Sequence, residues 1–213
     1  MSTPKTKPNI KKYYDPISMA HRTRQGVYRV KDHDKSRLLE LILQQGDTKQ
    51  TVVVSKSKKR ADEVSAYLNV HNIKARAIHG NHRTSLHKEV ATSFNACELH
   101  TIITTSSILE QLELTNIEHI IFYDIPREAE SYFRSLAFVD ELGDISSLLD
   151  DQDEGLFSVI EMLLKIEIAE VDLKEFVATK APLSKKTDST KKKKPRHRLK
   201  LGKKDKQKLS EKA

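Results

Sequence analysis

Four cations and a hydroxyl, Lys56, Ser57, Lys58, Lys59 and Arg60, follow the apolar run Thr51–Val54. Placed where a strand ends, such groups contact phosphate oxygens and position a polyanion without reading its sequence. Thr105 adds a hydroxyl after a second apolar run. The plainer alternative for Lys58–Arg60 is a solvated first turn of a helix. Far along the chain, Lys191, Lys192, Lys193, Lys194, Arg196 and Arg198 form a basic tract that would attract any polyanion by counterion release. Other chemistry finds less support. Neither G-x-x-x-x-G-K-[ST] nor G-x-G-x-x-G occurs, and six glycines leave no cradle for a triphosphate. His79, His82 and His87 flank a strand-to-helix turn with no cysteine or acidic partner in register, so no metal is expected. Cys97 lacks a neighbouring histidine, and the acidic run from Asp140 to Glu154 lacks the EF-hand pattern. No cofactor is expected.

The elements that position these groups alternate short β-branched runs with longer segments of helical spacing. Strands are predicted at Gly26–Val30, Thr51–Val54, Lys74–His79, Thr101–Thr105 and His119–Tyr123, with a short apolar run near Leu148. Helices are predicted after a cap at Asp34, ending near Gly46, then over Ala61–Leu68, Ser85–Phe94, Glu128–Phe138 and Glu154–Lys165. Continuous apolar strands separated by helices indicate an α/β fold whose mainly parallel sheet is covered on both faces. Ligands of such folds bind where loops leave the carboxyl ends of the strands.

Charge distribution separates this body from its ends. The 213 residues carry a net charge of +8, but Lys180–Ala213 holds 15 Lys/Arg and three Asp/Glu, and residues 1–14 add four lysines without an acid. The body, 15–179, is therefore about −8 between basic ends. Residues 1–25 are expected to be a loosely ordered lead-in, 26–170 the folded domain, and 171–213 a basic tail, disordered from about 184, where apolar residues nearly vanish. A single cysteine fits a reducing compartment, and no run is long and apolar enough to span a bilayer, so a cytoplasmic location is expected.

Three ordered blocks carry a resemblance. Val52-Val53-Val54-Ser55-Lys56-Ser57-Lys58-Lys59-Arg60-Ala61-Asp62-Glu63, Ala77-Ile78-His79-Gly80, and Tyr123-Asp124-Ile125-Pro126-Arg127-Glu128-Ala129-Glu130-Ser131-Tyr132 resemble the second RecA-like domain of DEAD-box RNA helicases. The lead-in Gln25–Val30 with Lys35 also fits that family, over about residues 22–170, and the closest flavour is the bacterial ribosome-assembly group. The resemblance implies a single RecA-like domain.

Transferred position by position, the family's functional motifs degrade. The Q-x-x-R element that supports RNA binding falls on Thr84 and His87. Motif five, commonly T-D-V-A-A-R-G-L-D, keeps Thr105 but has Glu110 for its arginine, Gln111 for its glycine and Glu113 for its aspartate. Motif six, commonly H-R-I-G-R-T-G-R, falls on Arg134–Glu141, with Ser135, Phe138 and Glu141 at its arginine positions. An arginine placed on the developing charge is worth about 10³ to 10⁵ in phosphoryl-transfer rate. The domain bearing the Walker lysine is also absent, and a chain opening on Met1 with a plausible lead-in is read as complete. These losses imply an adaptor without ATPase activity, not an enzyme, that binds RNA or ribonucleoprotein. The alternatives are a protein-interaction module docking on a helicase half or assembly factor, and a subunit of a split helicase.

Overall fold

The computed structural model describes residues 15–46 and 49–179, with the side chains of Asp140 and Glu141 outside that description. Thr51-Val52-Val53-Val54 is buried at every position and forms β2, and Thr101–Thr104 forms β4 in the same way. Uninterrupted apolar runs of this kind are what a strand covered on both faces requires. The full series is α1 (Pro16–Arg22), β1 (Arg24–Arg29), a 3₁₀ turn (Asp32–Asp34), α2 (Lys35–Gln45), β2, α3 (Lys58–Val70), β3 (Ala75–Ile78), α4 (Thr84–Asn95), β4, α5 (Ser106–Leu109), β5 (Ile117–Phe122), α6 (Ala129–Leu136), β6 (Val139–Leu149), α7 (Glu154–Leu164) and β7 (Ala169–Glu170). Every paired strand is parallel, and the sheet order is β3-β4-β2-β5-β6-β1-β7.

Alternation along the strands divides the core into two layers. Val52, Val54, Ile102, Ile120 and Phe122 face α1, α4, α5, α6 and α7 through Ala20, Phe94, Leu109, Tyr132 and Ile160. Val53, Ile103, Ile121 and Tyr123 face α2 and α3 through Leu39, Ile42, Val64 and Leu68. Because all strands run the same way, their carboxyl ends lie along one edge. No helix among the described residues is long and apolar enough to cross a membrane.

Four details differ from the sequence expectations. Within the expected lead-in, residues 16–22 form α1, with Pro16 in its first turn and Asp15 capping Ile17 N–H at 3.2 Å. The short apolar run near Leu148 is the end of an 11-residue strand, β6, inserted between β5 and β1. Asp34 precedes α2 but makes no side-chain cap bond, because its carboxylate is taken by Thr179. Beyond β7, Leu173 and Phe176 still pack on the second core layer. Residues 1–14 and 180–213, including the tail cations from Lys191 to Arg198, lie outside the described residues.

Candidate nucleic-acid interface

The loop after β2 occupies the middle of the carboxyl edge. Ser55 is buried and ties the end of β2 to β4, its hydroxyl donating to Thr104 O at 3.3 Å. Ser57 caps α3, its Oγ accepting from Arg60 N–H at 3.2 Å. A hydroxyl that accepts there keeps its own proton to donate outward. Lys58 Nζ donates to Asn81 Oδ1 at 2.7 Å and lies beside Gly80, where a Cβ would meet that amine at 3.5 Å. Lys59 points to solvent and pairs with Glu63 one turn on.

Arg60 and Lys56 are turned inward, toward Asp124. This aspartate is 2% exposed, accepts the Lys56 backbone N–H at 3.1 Å, and has Lys56 Nζ at 3.4 Å and Arg60 Nε at 3.6 Å from Oδ1. Arg60 also pairs with Asp32 and lies over the Tyr123 ring at 5.2 Å. The buried Lys35 completes the network, with Nζ 3.1 Å from Asp153, 3.4 Å from Asp150 and 4.0 Å from Asp124. Burial would raise the Asp150 pKa, but the Gln152 N–H and the Lys35 charge outweigh it and hold the carboxyl below its ordinary value. Loops following β1, β2, β5 and β6 are thereby tied together by charge. Sequence spacing hid this network, since its carboxylates come from loops that meet only when β5 and β6 lie side by side.

Beside the cationic loop runs a groove of about 640 Å³ lined by Gly80, His82, Thr84, His87, Ile108, Gln111 and Glu113, among others. Thr84 opens α4, and His87, a turn later, approaches His79 O with Nε2 at 3.2 Å. Thr105 precedes α5 with its Oγ1 3.4 Å from Ser107 Oγ. Gln111 donates to Ser107 O at 3.1 Å, and the Glu113 side chain is exposed. Next to Gln111 in the chain, Glu110 pairs with Arg134, Nε to Oε1 at 2.8 Å, and Arg134 also reaches Glu130 at 3.1 Å. Ser135 is buried in α6, donating to Ser131 O at 2.9 Å, and Phe138 packs on the first core layer. Glu141 contributes its backbone to β6.

The histidines are less isolated than their spacing suggested. Asp62 of α3 brings both carboxylate oxygens to His79 Nε2, at 3.0 and 3.1 Å, and the His79 and His82 rings stack at 3.9 Å. Ligating atoms of the three residues lie within 4.8 Å of one another. Both Nδ1 atoms accept backbone N–H groups, from Asn81 at 3.4 Å and His79 at 3.3 Å. That leaves Nε2 as the donor of each ring, and His79 turns its Nε2 to Asp62. The trio is built as a hydrogen-bonded clamp on the β3–α4 turn.

Residues 34–136 match the family model of the helicase conserved C-terminal domain. Vasa, an ATP-dependent RNA helicase of Drosophila melanogaster, is 27% identical over 121 residues, 56% of this chain and 18% of that protein. The chain thus spans a small part of this relative. The DEAD-box protein SrmB of E. coli, solved bound to the regulator of ribonuclease activity A, superposes with a TM-score of 0.70 at 19% identity, covering 75% of this chain and 97% of that one. S. cerevisiae Dbp5, solved bound to RNA and ADP BeF3, gives 0.66 at 15% identity over 78% of this chain and 44% of that one. The match to a helicase C-terminal domain covers residues 34–136, and the fold is that of the second RecA-like half of DEAD-box proteins.

Proposed function

We propose that this chain, whose residues 34–136 form a helicase C-terminal domain related to those of DEAD-box RNA helicases, is an RNA- or ribonucleoprotein-binding adaptor without ATPase activity. One observation carries the loss of activity. Where the family aligns arginines on nucleotide phosphates, this chain has Glu110 paired to Arg134, Ser135 buried inside α6 and Phe138 packed on the core. Carboxylates at such positions oppose a triphosphate, and no cation occurs in sequence between Arg134 and Lys165 to replace the arginines.

RNA is favoured as the partner by the outward Ser57 hydroxyl, by Lys58 beside the open backbone of Gly80, and by the basic sequence from Lys180 onward. Thr84 and His87 line the adjacent groove, with His87 where the family has an arginine, and Thr105 keeps the family's motif-five threonine. Most of the affinity then comes from the tail, with Ser57 and Lys58 adding a local phosphate site. Service in ribosome assembly fits the basic tail.

A second function, docking on a helicase half or assembly factor, draws support from SrmB, which was solved with a protein partner. Here the contact surface would be that of the altered motif-five and motif-six segments. ATP turnover and RNA binding measured on the full chain distinguish these outcomes. The adaptor binds a single-stranded RNA equally with and without ATP and shows no turnover. RNA-stimulated turnover, or no RNA binding at physiological salt, would overturn it.

A further inference from the structure

Three residues at the start of the β3–α4 turn bring metal-ligating atoms together. His79 directly follows β3 and is buried, His82 stands three positions on, and Asp62 reaches across from α3. Both carboxylate oxygens of Asp62 lie close to His79 Nε2, at 3.0 and 3.1 Å. The His82 ring rests on the His79 ring, with centroids 3.9 Å apart and planes inclined by 20°. One ligand atom from each residue falls within 4.8 Å of the other two. Sequence spacing hid this set, because Asp62 precedes His79 by 17 residues and comes alongside it only when α3 packs on β3.

Two imidazoles and a carboxylate suit Zn²⁺ and its neighbours among the divalent transition metals, and three protein ligands leave a fourth position to water. Around a tetrahedral ion with bonds of roughly 2.0–2.2 Å, ligand atoms stand about 3.3–3.6 Å apart. Asp62 and His79 are already near that separation, so the remaining adjustment is a turn of the His82 ring out of the stack. His82 is half-buried and lines the open groove beside Gly80, which leaves it room to turn. Burial and the neighbouring His79 hold the His82 pKa below its ordinary value, so the ring is neutral near pH 7 and can offer a lone pair. A ring that ligates through Nε2 carries its proton on Nδ1, so each ring stays neutral while its proton passes from one nitrogen to the other. The backbone contacts that the two Nδ1 atoms now accept must give way, and at 3.4 and 3.3 Å both are longer than the usual range of roughly 2.7–3.2 Å. Nearby cations do not occupy the ligand atoms. Lys58 donates to Asn81 Oδ1 at 2.7 Å, and Arg76 acts on His82 only through space. Asp62 is open to solvent and gives an ion its way in.

We propose that Asp62, His79 and His82 form a binding site for a divalent transition metal, Zn²⁺ by its donor set, that ties α3 to the β3–α4 turn. Held by protons, the three residues are a hydrogen-bonded clamp; held by an ion, they become its ligands. The site uses none of the residues assigned to RNA contact and does not depend on that function. Its ligands come together only in the folded chain, so binding stabilises the fold.

The test is a titration of the full chain, first stripped with a chelator, with Zn²⁺ at neutral pH, followed by calorimetry and by thermal unfolding. The parent chain should bind one ion, and its melting temperature should rise by about 5–10 °C once free Zn²⁺ exceeds the dissociation constant roughly a hundredfold. Asp62→Asn and His82→Gln keep polar side chains at positions that are not fully buried, and each should weaken binding by about tenfold or more. His71→Gln, which alters a histidine at the end of α3 outside the trio, should bind like the parent. Co²⁺ gives a second readout, a visible absorption in the parent that Asp62→Asn and His82→Gln diminish. A parent chain that takes up no Zn²⁺ would overturn the site and leave the clamp alone. Equal binding by the parent, Asp62→Asn and His82→Gln would also overturn it, by placing the ion on other groups.

Discussion

Arg134 on α6 donates from Nε to Glu110 just beyond α5 at 2.8 Å, and both side chains are partly open to solvent. The pair neutralises the arginine of the neighbouring helix with a carboxylate that, by the family resemblance, corresponds to the motif-five arginine. An acidic group on a phosphate path repels the ligand directly and withdraws a cation from it. Glu110→Gln is accordingly expected to raise RNA affinity roughly two- to fivefold, the scale of one surface ion pair. Adding Arg134→Ala should abolish that gain. Fluorescence anisotropy at low salt checks both, and a Glu110→Gln chain that binds more weakly would show that the pair supports the site.

Lys35 is a structural cation. Its side chain is fully buried, and Asp124, Asp150 and Asp153 surround its amine. Removing one partner of a buried ionic cluster strands the others, which typically costs about 3–5 kcal/mol. Lys35→Met should lower the stability of the full chain by that order in urea denaturation, with a reduced midpoint and an unchanged slope. A loss under about 1 kcal/mol would show that water reaches the cluster.

His119 supplies a pH dependence with a definite sign. In β5 its Nε2 lies 2.8 Å from Ser146 Oγ, and burial pushes its pKa down to about 4 from the ordinary 6.5. Below pH 6.5 the unfolded chain takes up a proton that the folded chain refuses until about pH 4, so stability falls as pH drops through that window. At 1.36 kcal/mol per unit the loss is roughly 3 kcal/mol. His119→Asn should remove this part of the slope, seen as the difference between the two chains in urea melts at pH 7.5 and pH 4.5. Parallel pH profiles would contradict it.

How far the sequence could be read depended on whether a residue's neighbours were local. β2, β4 and most of β5 were legible because strands buried on both faces need apolar residues at every position. Most of β6 was not, since Asp144, Ser146 and Ser147 interrupt its apolar pattern and take their places through partners on other strands, such as His119 on Ser146 and Arg24 on Asp144. Helix α1 did carry a local signal in Asp15-Pro16, a cap followed by a proline suited to a first turn. The cationic loop was found from its composition, yet only the fold shows that Arg60 and Lys56 turn toward Asp124 while Ser57 and Lys58 face outward. Asp62 beside His79, and Thr179 on Asp34, join distant segments that no spacing rule connects.

RNA binding by this chain, as proposed, depends chiefly on the lysines and arginines of residues 180–213. The direct measurement is the affinity for a 20-nucleotide single strand against salt concentration, for the full chain and for one lacking residues 184–213. Each phosphate neutralised contributes about −0.7 to the slope of log K against log salt for single strands. Deletion should reduce the affinity at low salt by more than about tenfold and flatten the slope by several units. Equal affinity and slope in the two chains would contradict the account.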